Sequence, residues 1–172
     1  MTRYDRRKIA LKKTISHCIV ILHDIRSVIN VGAIFRTCDA IGVSKILLSG
    51  TSPAPIDRFG RIRSDFAKAA LGTEKTVSWE QVSDIIITID RLRKDGYKIY
   101  CIEQSSHSVD YKSIITKPNS KIVIIPGNEV DGVPLEIQNI SDAILEIPMY
   151  GSKESLNVSV ATGIVLYRLL DQ

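Results

Sequence analysis

Short, almost wholly apolar runs recur along the chain, and longer segments with polar positions separate them. Cys18-Ile-Val-Ile-Leu-His23, Lys45-Ile-Leu-Leu-Ser49, Lys98-Ile-Tyr-Cys-Ile102, Lys121-Ile-Val-Ile-Ile125 and Ala143-Ile-Leu-Glu-Ile147 are continuous rather than alternating in polarity. Runs of this length, rich in β-branched residues, predict strands buried on both faces. Thr76-Val-Ser-Trp79 reads as a further brief strand. In residues 30–42, Val31, Ile34, Phe35 and Cys38 fall at helical spacing, with Asn30 placed to cap the start and Gly42 to end it. Other helices are predicted over residues 64–72, capped by Ser64, and over 80–95, 133–140 and 156–170, the last capped by Ser155. Buried strands alternating with helices predict an α/β fold, a parallel sheet flanked by helices on both faces. Such sheets bind ligands beyond the C-terminal ends of their strands, so the loops near Asn30, Gly127 and Gly151 become candidates. Residues 50–63 are too rich in Pro, Gly and Arg to be regular, and a loop that long is usually functional or mobile.

Composition narrows the class. The 172 residues, 44% hydrophobic and 24% charged, suit one globular domain, assigned to 17–172 behind an N-terminal arm of residues 1–16. The arm carries much of the charge. Arg3, Arg6, Arg7, Lys8, Lys12 and Lys13 stand against Asp5 alone, a net of +5 in a chain of +4, so the remainder carries −1. A segment of that kind contacts phosphates without reading sequence; the alternative is a solvated tail. Cys18, Cys38 and Cys101 are odd in number and far apart, which reads as buried reduced thiols. Neither they nor His17, His23 and His107 make a metal pattern, so no metal is expected. No run reaches the length of a membrane span and the N-terminus lacks a signal-peptide core, which makes a cytoplasmic, membrane-free protein the expectation.

Taken singly, the polar candidates are modest. In Ile125-Pro-Gly-Asn-Glu-Val-Asp-Gly132, Gly127 permits close backbone approach after a strand, and Glu129 sits near that rim. The segment is not the GxGxxG fingerprint and no Walker lysine occurs, which weighs against nucleotide-cofactor redox chemistry and ATP hydrolysis. Arg36 alone is a surface arginine lying over apolar neighbours, and Asn30 alone is a cap. Ser155 has no GxSxG context, so a serine hydrolase is disfavoured.

Together they form a pattern. Asn30 with Arg36, Gly127-Asn-Glu with Gly132, and Ile147-Pro-Met-Tyr-Gly-Ser-Lys-Glu-Ser-Leu-Asn-Val-Ser159 resemble, in order and spacing, the motif set of the SPOUT methyltransferase superfamily. The likeness is to its SpoU, or TrmH-like, branch of RNA ribose 2′-O-methyltransferases, and runs from about Cys18 to the C-terminus. Lys68-Ala-Ala-Leu-Gly-Thr-Glu74 resembles a further segment of that branch. The resemblance implies a C-terminal trefoil knot, an obligate homodimer and S-adenosyl-L-methionine as cofactor. It places the cofactor at Ile102, Gly127, Ile147, Met149 and Leu156, and the catalytic centre at Asn30, Arg36, Glu129, Ser155 and Asn157. In the family the residue at Arg36 is sometimes assigned as a base. A guanidinium with a pKa above about 12 serves better to position phosphate and hydroxyl and to stabilise oxyanion charge. The small residues Ser159, Ala161 and Gly163 of the last helix suit a dimer interface.

The implied substrate is tRNA or rRNA, since a 2′-hydroxyl acceptor means RNA. Family members usually add an RNA-binding extension, whereas this chain offers the basic arm and, beyond it, Arg58, Arg61 and Arg63. Two other readings stand beside it. One is a base-nitrogen tRNA methyltransferase of the same fold. The other is a non-catalytic RNA-binding protein that binds the cofactor.

Overall fold

The computed structural model describes residues 17–117 and 119–171. The basic arm, with Arg3, Arg6, Arg7, Lys8, Lys12 and Lys13, lies outside the described residues.

Seven strands form one wholly parallel sheet: β1 (Cys18–His23), β2 (Lys45–Ser49), β3 (Trp79–Val82), β4 (Lys98–Ile102), β5 (Val109–Asp110), β6 (Ile122–Pro126) and β7 (Ala143–Glu146). Their order across the sheet is β3-β2-β1-β6-β4-β7-β5. Among the described residues, five α-helices cover it: α1 (Val28–Ile41), α2 (Ser64–Ala70), α3 (Ile85–Lys94), α4 (Leu135–Asn139) and α5 (Val158–Leu170). The two-residue pleat divides each strand between two cores. Cys18, Val20 and Leu22 of β1 meet α1, α2 and α5 on one face, while Ile19 and Ile21 meet α3 and α4 on the other. The apolar runs are unbroken because neither face reaches water.

Three helix starts differ from expectation, two of them because the chain uses a better cap nearby. Ser27, not Asn30, caps α1, its Oγ accepting from the Asn30 N–H at 3.3 Å, so the helix begins earlier and Asn30 is freed for other work. Asn157, not Ser155, caps α5 by accepting from the Ser159 N–H at 2.9 Å. Ser64 is already helical, with Arg63 in the cap position and no side-chain cap bond. Gly42 ends α1 in the left-handed conformation, φ 80°, as predicted.

Residues 80–82 were predicted helical and are strand. Pairing of Glu80 with Leu47 and Gln81 with Leu48 completes that edge of the sheet, and helix α3 waits for Asp84 to cap it. The Ile-rich run is helical nonetheless, because Ile85, Ile89 and Leu92 share one buried face. The edge strand β5, where Val109 and Asp110 pair with β7, was not among the predicted strands.

Candidate active site

The ends of β4, β6 and β7 open together onto a cleft of about 510 Å³. The side chains of Ile102, Leu145, Ile147, Met149 and Leu156 form apolar wall, and Gly127 leaves the backbone of its loop approachable. All five residues expected at the cofactor, Ile102, Gly127, Ile147, Met149 and Leu156, line this one cleft.

The loop after β6 is rigid by construction. Asn128 donates its N–H to the Gly132 carbonyl at 3.2 Å, and its Oδ1 accepts from the N–H groups of Val130 and Asp131 at 2.9 and 2.8 Å. Glu103, directly after β4, fills the space beneath. One carboxylate oxygen accepts from the Val133 N–H and the other from the Gln104 N–H, both at 2.8 Å. A Cβ on Gly127 would stand 2.5 Å from that carboxylate, and a Cβ on Gly132 would collide with it, at a φ of +68° that side chains avoid. The two glycines and Glu103 are thus one packed unit. On the other side of the cleft, Gln104 Nε2 donates to the Glu154 carbonyl at 2.7 Å, tying the loop after β4 to the loop after β7.

Beside the cleft runs a chain of amides ending in a carboxylate. Asn157 Nδ2 donates to Asn30 Oδ1 at 3.1 Å, and Asn30 Nδ2 donates to Glu129 Oε1 at 2.7 Å. Glu129 Oε2 accepts from the Arg26 N–H at 3.3 Å. Partial burial pushes the Glu129 carboxyl up. Hydrogen bonds from Asn30 and from the backbone N–H groups of Glu129, Arg26 and Ser27 outweigh it and hold the group below the usual carboxylate range. Residues 127 positions apart in sequence are joined by direct side-chain contact.

Other expected site residues stand apart. Arg36 is exposed and, among the described residues, makes no hydrogen bond or ion pair. Six residues beyond Asn30, it lies about 9 Å along α1 and about 120° around it, so the structure does not bring it to the amide chain. Ser155 lines the cleft but is bonded to neither Asn30 nor Asn157. Of the three arginines after β2, Arg61 is paired with Asp57 at 2.8 Å and Arg63 with Asp65 at 2.7 Å, whereas Arg58 has no ion pair among the described residues. The small residues of α5 serve contacts inside the chain rather than offering a free face. Ser159 bonds Asn157, Ala161 lines the cleft, and Gly163 faces Thr37 of α1. The exposed apolar side chains on these two helices are Ile29, Val160 and Tyr167.

Glu103, Gln104 and Arg26 were not anticipated. A carboxylate directly after a buried strand, opposite a loop that has glycine at both ends, was the available signal for Glu103. Among the described residues, no group of three His, Cys, Asp or Glu side chains could hold a metal ion, and no helix is long and apolar enough to cross a membrane.

The sequence model of the SpoU rRNA methylase family matches residues 17–167. The chain belongs to this family. The chain is similar to the tRNA (guanosine(18)-2′-O)-methyltransferase of Aquifex aeolicus, 34% identical over 166 residues, covering 96% of this chain and 74% of that protein. A 23S rRNA (guanosine-2′-O-)-methyltransferase of Neisseria meningitidis is 33% identical, covering 86% of this chain and 56% of that longer one. The AdoMet-bound rRNA methyltransferase of Sinorhizobium meliloti, a solved structure, superposes with a TM-score of 0.78 at 30% identity, over 88% of this chain and 54% of that one. The SpoU family resemblance drawn from the three motifs therefore holds, and so does the parallel sheet with its flanking helices.

Proposed function

We propose that this chain transfers the methyl group of S-adenosylmethionine to a ribose 2′-hydroxyl of tRNA or rRNA. The observation that carries this reading is the junction of the apolar cleft with the Asn157–Asn30–Glu129 chain at its lip. The cleft fits the cofactor by its chemistry. Leu156, Ile147 and Met149 offer apolar surface to an adenine ring, and the glycine-bounded loop offers backbone groups at close range. When bound, S-adenosylmethionine supplies a methyl sulfonium already activated for in-line displacement by an oxygen nucleophile.

The residues of the chain then have mainly to align and to shield charge. Asn157 and Asn30 hold one another in fixed orientation and position the ribose. Glu129, kept ionised, anchors that pair and is too weak a base to take the hydroxyl proton unaided. Arg36 stabilises the oxygen as its proton passes to solvent water and holds the adjoining phosphate. Since it is exposed and does not line the cleft of its own chain, it serves the cleft of a second copy in a homodimer. The exposed Ile29 on its own helix, 74% accessible, and the exposed Val160 and Tyr167 of α5 support an interface there. The phosphates of the RNA meet Arg58 and the basic arm.

A C-terminal knot belongs to the same proposal. It is supported by contacts among three loops, since the one after β4 meets both the loop after β6, through Glu103, and the loop after β7, through Gln104. A cytoplasmic site, where tRNA and rRNA are modified, completes the reading. The test is methyl transfer from labelled S-adenosylmethionine to total tRNA and to rRNA, followed by nuclease digestion and mass spectrometry. A 2′-O-methylated nucleotide is expected; methyl on a base nitrogen, or none in either RNA, would overturn it.

A further inference from the structure

The loop after β2 presents an aromatic ring that methyl transfer does not use. Within residues 50–63 the chain returns on itself through an antiparallel bridge between Ile56 and Ile62. Asp57 braces the tip. Its Oδ1 accepts from the N–H groups of Phe59 at 2.8 Å and Arg61 at 3.0 Å, its Oδ2 from Arg61 Nε at 2.8 Å, and Gly60 makes the turn at φ 76°. Phe59 is therefore held at the tip by an ordered turn, yet 65% of its surface is exposed. A phenylalanine ring gains strongly from burial, so a braced turn that keeps one in water is suited to a partner that covers it.

The surroundings specify what kind. The guanidinium carbon of Arg58 lies 4.7 Å from the ring centroid and that of Arg61 lies 5.0 Å from it. Asp57 neutralises Arg61, which leaves Arg58 as the cation stacked over the ring. A flat aromatic face next to positive charge is the surface that takes a nucleobase together with its phosphate. Ile56 and Ile62 nearby are also exposed, and a cavity of about 630 Å³, bordered by Ser52, Pro53 and Gln81, opens at the base of the ring.

Position supports the same partner. Because every strand is parallel, this loop opens on the same rim as the cleft. Only β1 separates β2 from β6, a lateral step of about 10 Å at the usual strand spacing. The start of the loop is also fixed to the site. Ser52 Oγ accepts from the Ile25 N–H at 3.0 Å and donates to the Leu22 carbonyl at 2.9 Å, and the next residue, Arg26, donates to Glu129.

We propose that Phe59, with Arg58 beside it, is a stacking platform for an unpaired nucleobase of the substrate RNA, near the methylated nucleotide. This rests on the ribose-methylation reading and adds to it that the RNA presents an unstacked base at this distance. A duplex keeps its base faces in its own stack, so the platform selects loops and single strands.

The test uses the full chain with Phe59→Ala, Phe59→Leu and Phe59→Trp, and total tRNA as the acceptor. Phe59→Ala and Phe59→Leu are expected to raise KM for RNA about tenfold at nearly constant kcat, with melting temperature and S-adenosylmethionine affinity unchanged. Phe59→Trp restores KM. Its added emission, over the Trp79 background measured on the parent chain, is quenched by a single-stranded oligoribonucleotide and not by the same sequence as a duplex. An unchanged KM in Phe59→Ala overturns the platform, and so does full activity in Phe59→Leu, which would mean mere apolar contact. A changed oligomeric state in Phe59→Ala would also overturn it, because the surface would then be docking protein. If the parent chain methylates no RNA, the underlying reading falls and takes the platform with it. If the parent does so and the variants match it, only the platform falls.

Discussion

Two residues of helix α1 carry polar side chains expected at one site, and the fold treats them in opposite ways. Asn30, in the first turn, is locked between Glu129 and Asn157 by bonds of 2.7 and 3.1 Å. Arg36, less than two turns later, is exposed and unbonded among the described residues. The half of the site that would hold cofactor and orient ribose is complete within one chain. The half that would face developing charge is not. A side chain of that length and charge, exposed on its helix, is available to something outside the chain.

The largest predicted effect separates these two residues. Arg36→Ala should lower kcat for methyl transfer by about 10²- to 10³-fold, while calorimetric affinity for S-adenosylmethionine and the melting temperature stay as in the parent. Comparable turnover would show that the exposed half of the helix has no part in the chemistry. Next comes the rigidity of the fixed half. Gly127→Ala should weaken cofactor binding about tenfold, as overpacking does, and Glu103→Ala in the same chain should recover part of the loss by vacating the space the new Cβ needs. If the double variant binds no better than Gly127→Ala, the packing of Glu103 against the glycines is not what shapes the loop.

A smaller effect concerns pH. Glu129 is held below its ordinary pKa in the folded chain, so its contribution to stability is fully present above the unfolded value of about 4.3 and is lost as pH falls through the lower folded value. Asn30→Ala removes one of the bonds responsible, and the acid limb of a melting-temperature profile should move to higher pH. Identical acid limbs in parent and variant would mean that Asn30 does not hold the carboxylate. The smallest effect repeats the contrast between paired and free groups within the loop after β2. Arg58→Ala should reduce the slope of log binding constant against log salt for RNA by about 1. Arg61→Ala, already neutralised by Asp57, should change it less.

Sequence pattern and structure part company in instructive places. β1, β2 and β4 have the bounds of their apolar runs, because strands buried on both faces leave no polar position to blur the ends. Residues 80–82 carry a helical pattern but are strand, since the open edge of β2 offered hydrogen-bond partners that local preference cannot foresee. The caps moved by two or three residues where Ser27 and Asn157 were at hand. The five residues that the family resemblance places at the cofactor line one cleft, because they stand at or beyond strand ends that a parallel sheet brings to one rim. Glu103 was not legible, since its importance comes from the space between two glycines more than twenty residues away. The six-residue spacing of Asn30 and Arg36 on one helix already turns them about 120° apart, but that separation acquires meaning only beside a partner surface.

The most direct measurement is therefore complementation between two inactive chains. Arg36→Ala keeps an intact cleft and lacks the arginine; Gly132→Val keeps the arginine and lacks the cleft, its new side chain colliding with Glu103. Each alone should transfer methyl at least about 10²-fold more slowly than the parent. In mixed dimers, verified by differential tagging, the cleft of the first chain and the arginine of the second make one working site, and methyl transfer to RNA should return. Verified mixed dimers that stay inactive would contradict an arginine acting across the interface, and with it the claim that one chain holds only half of the reacting site.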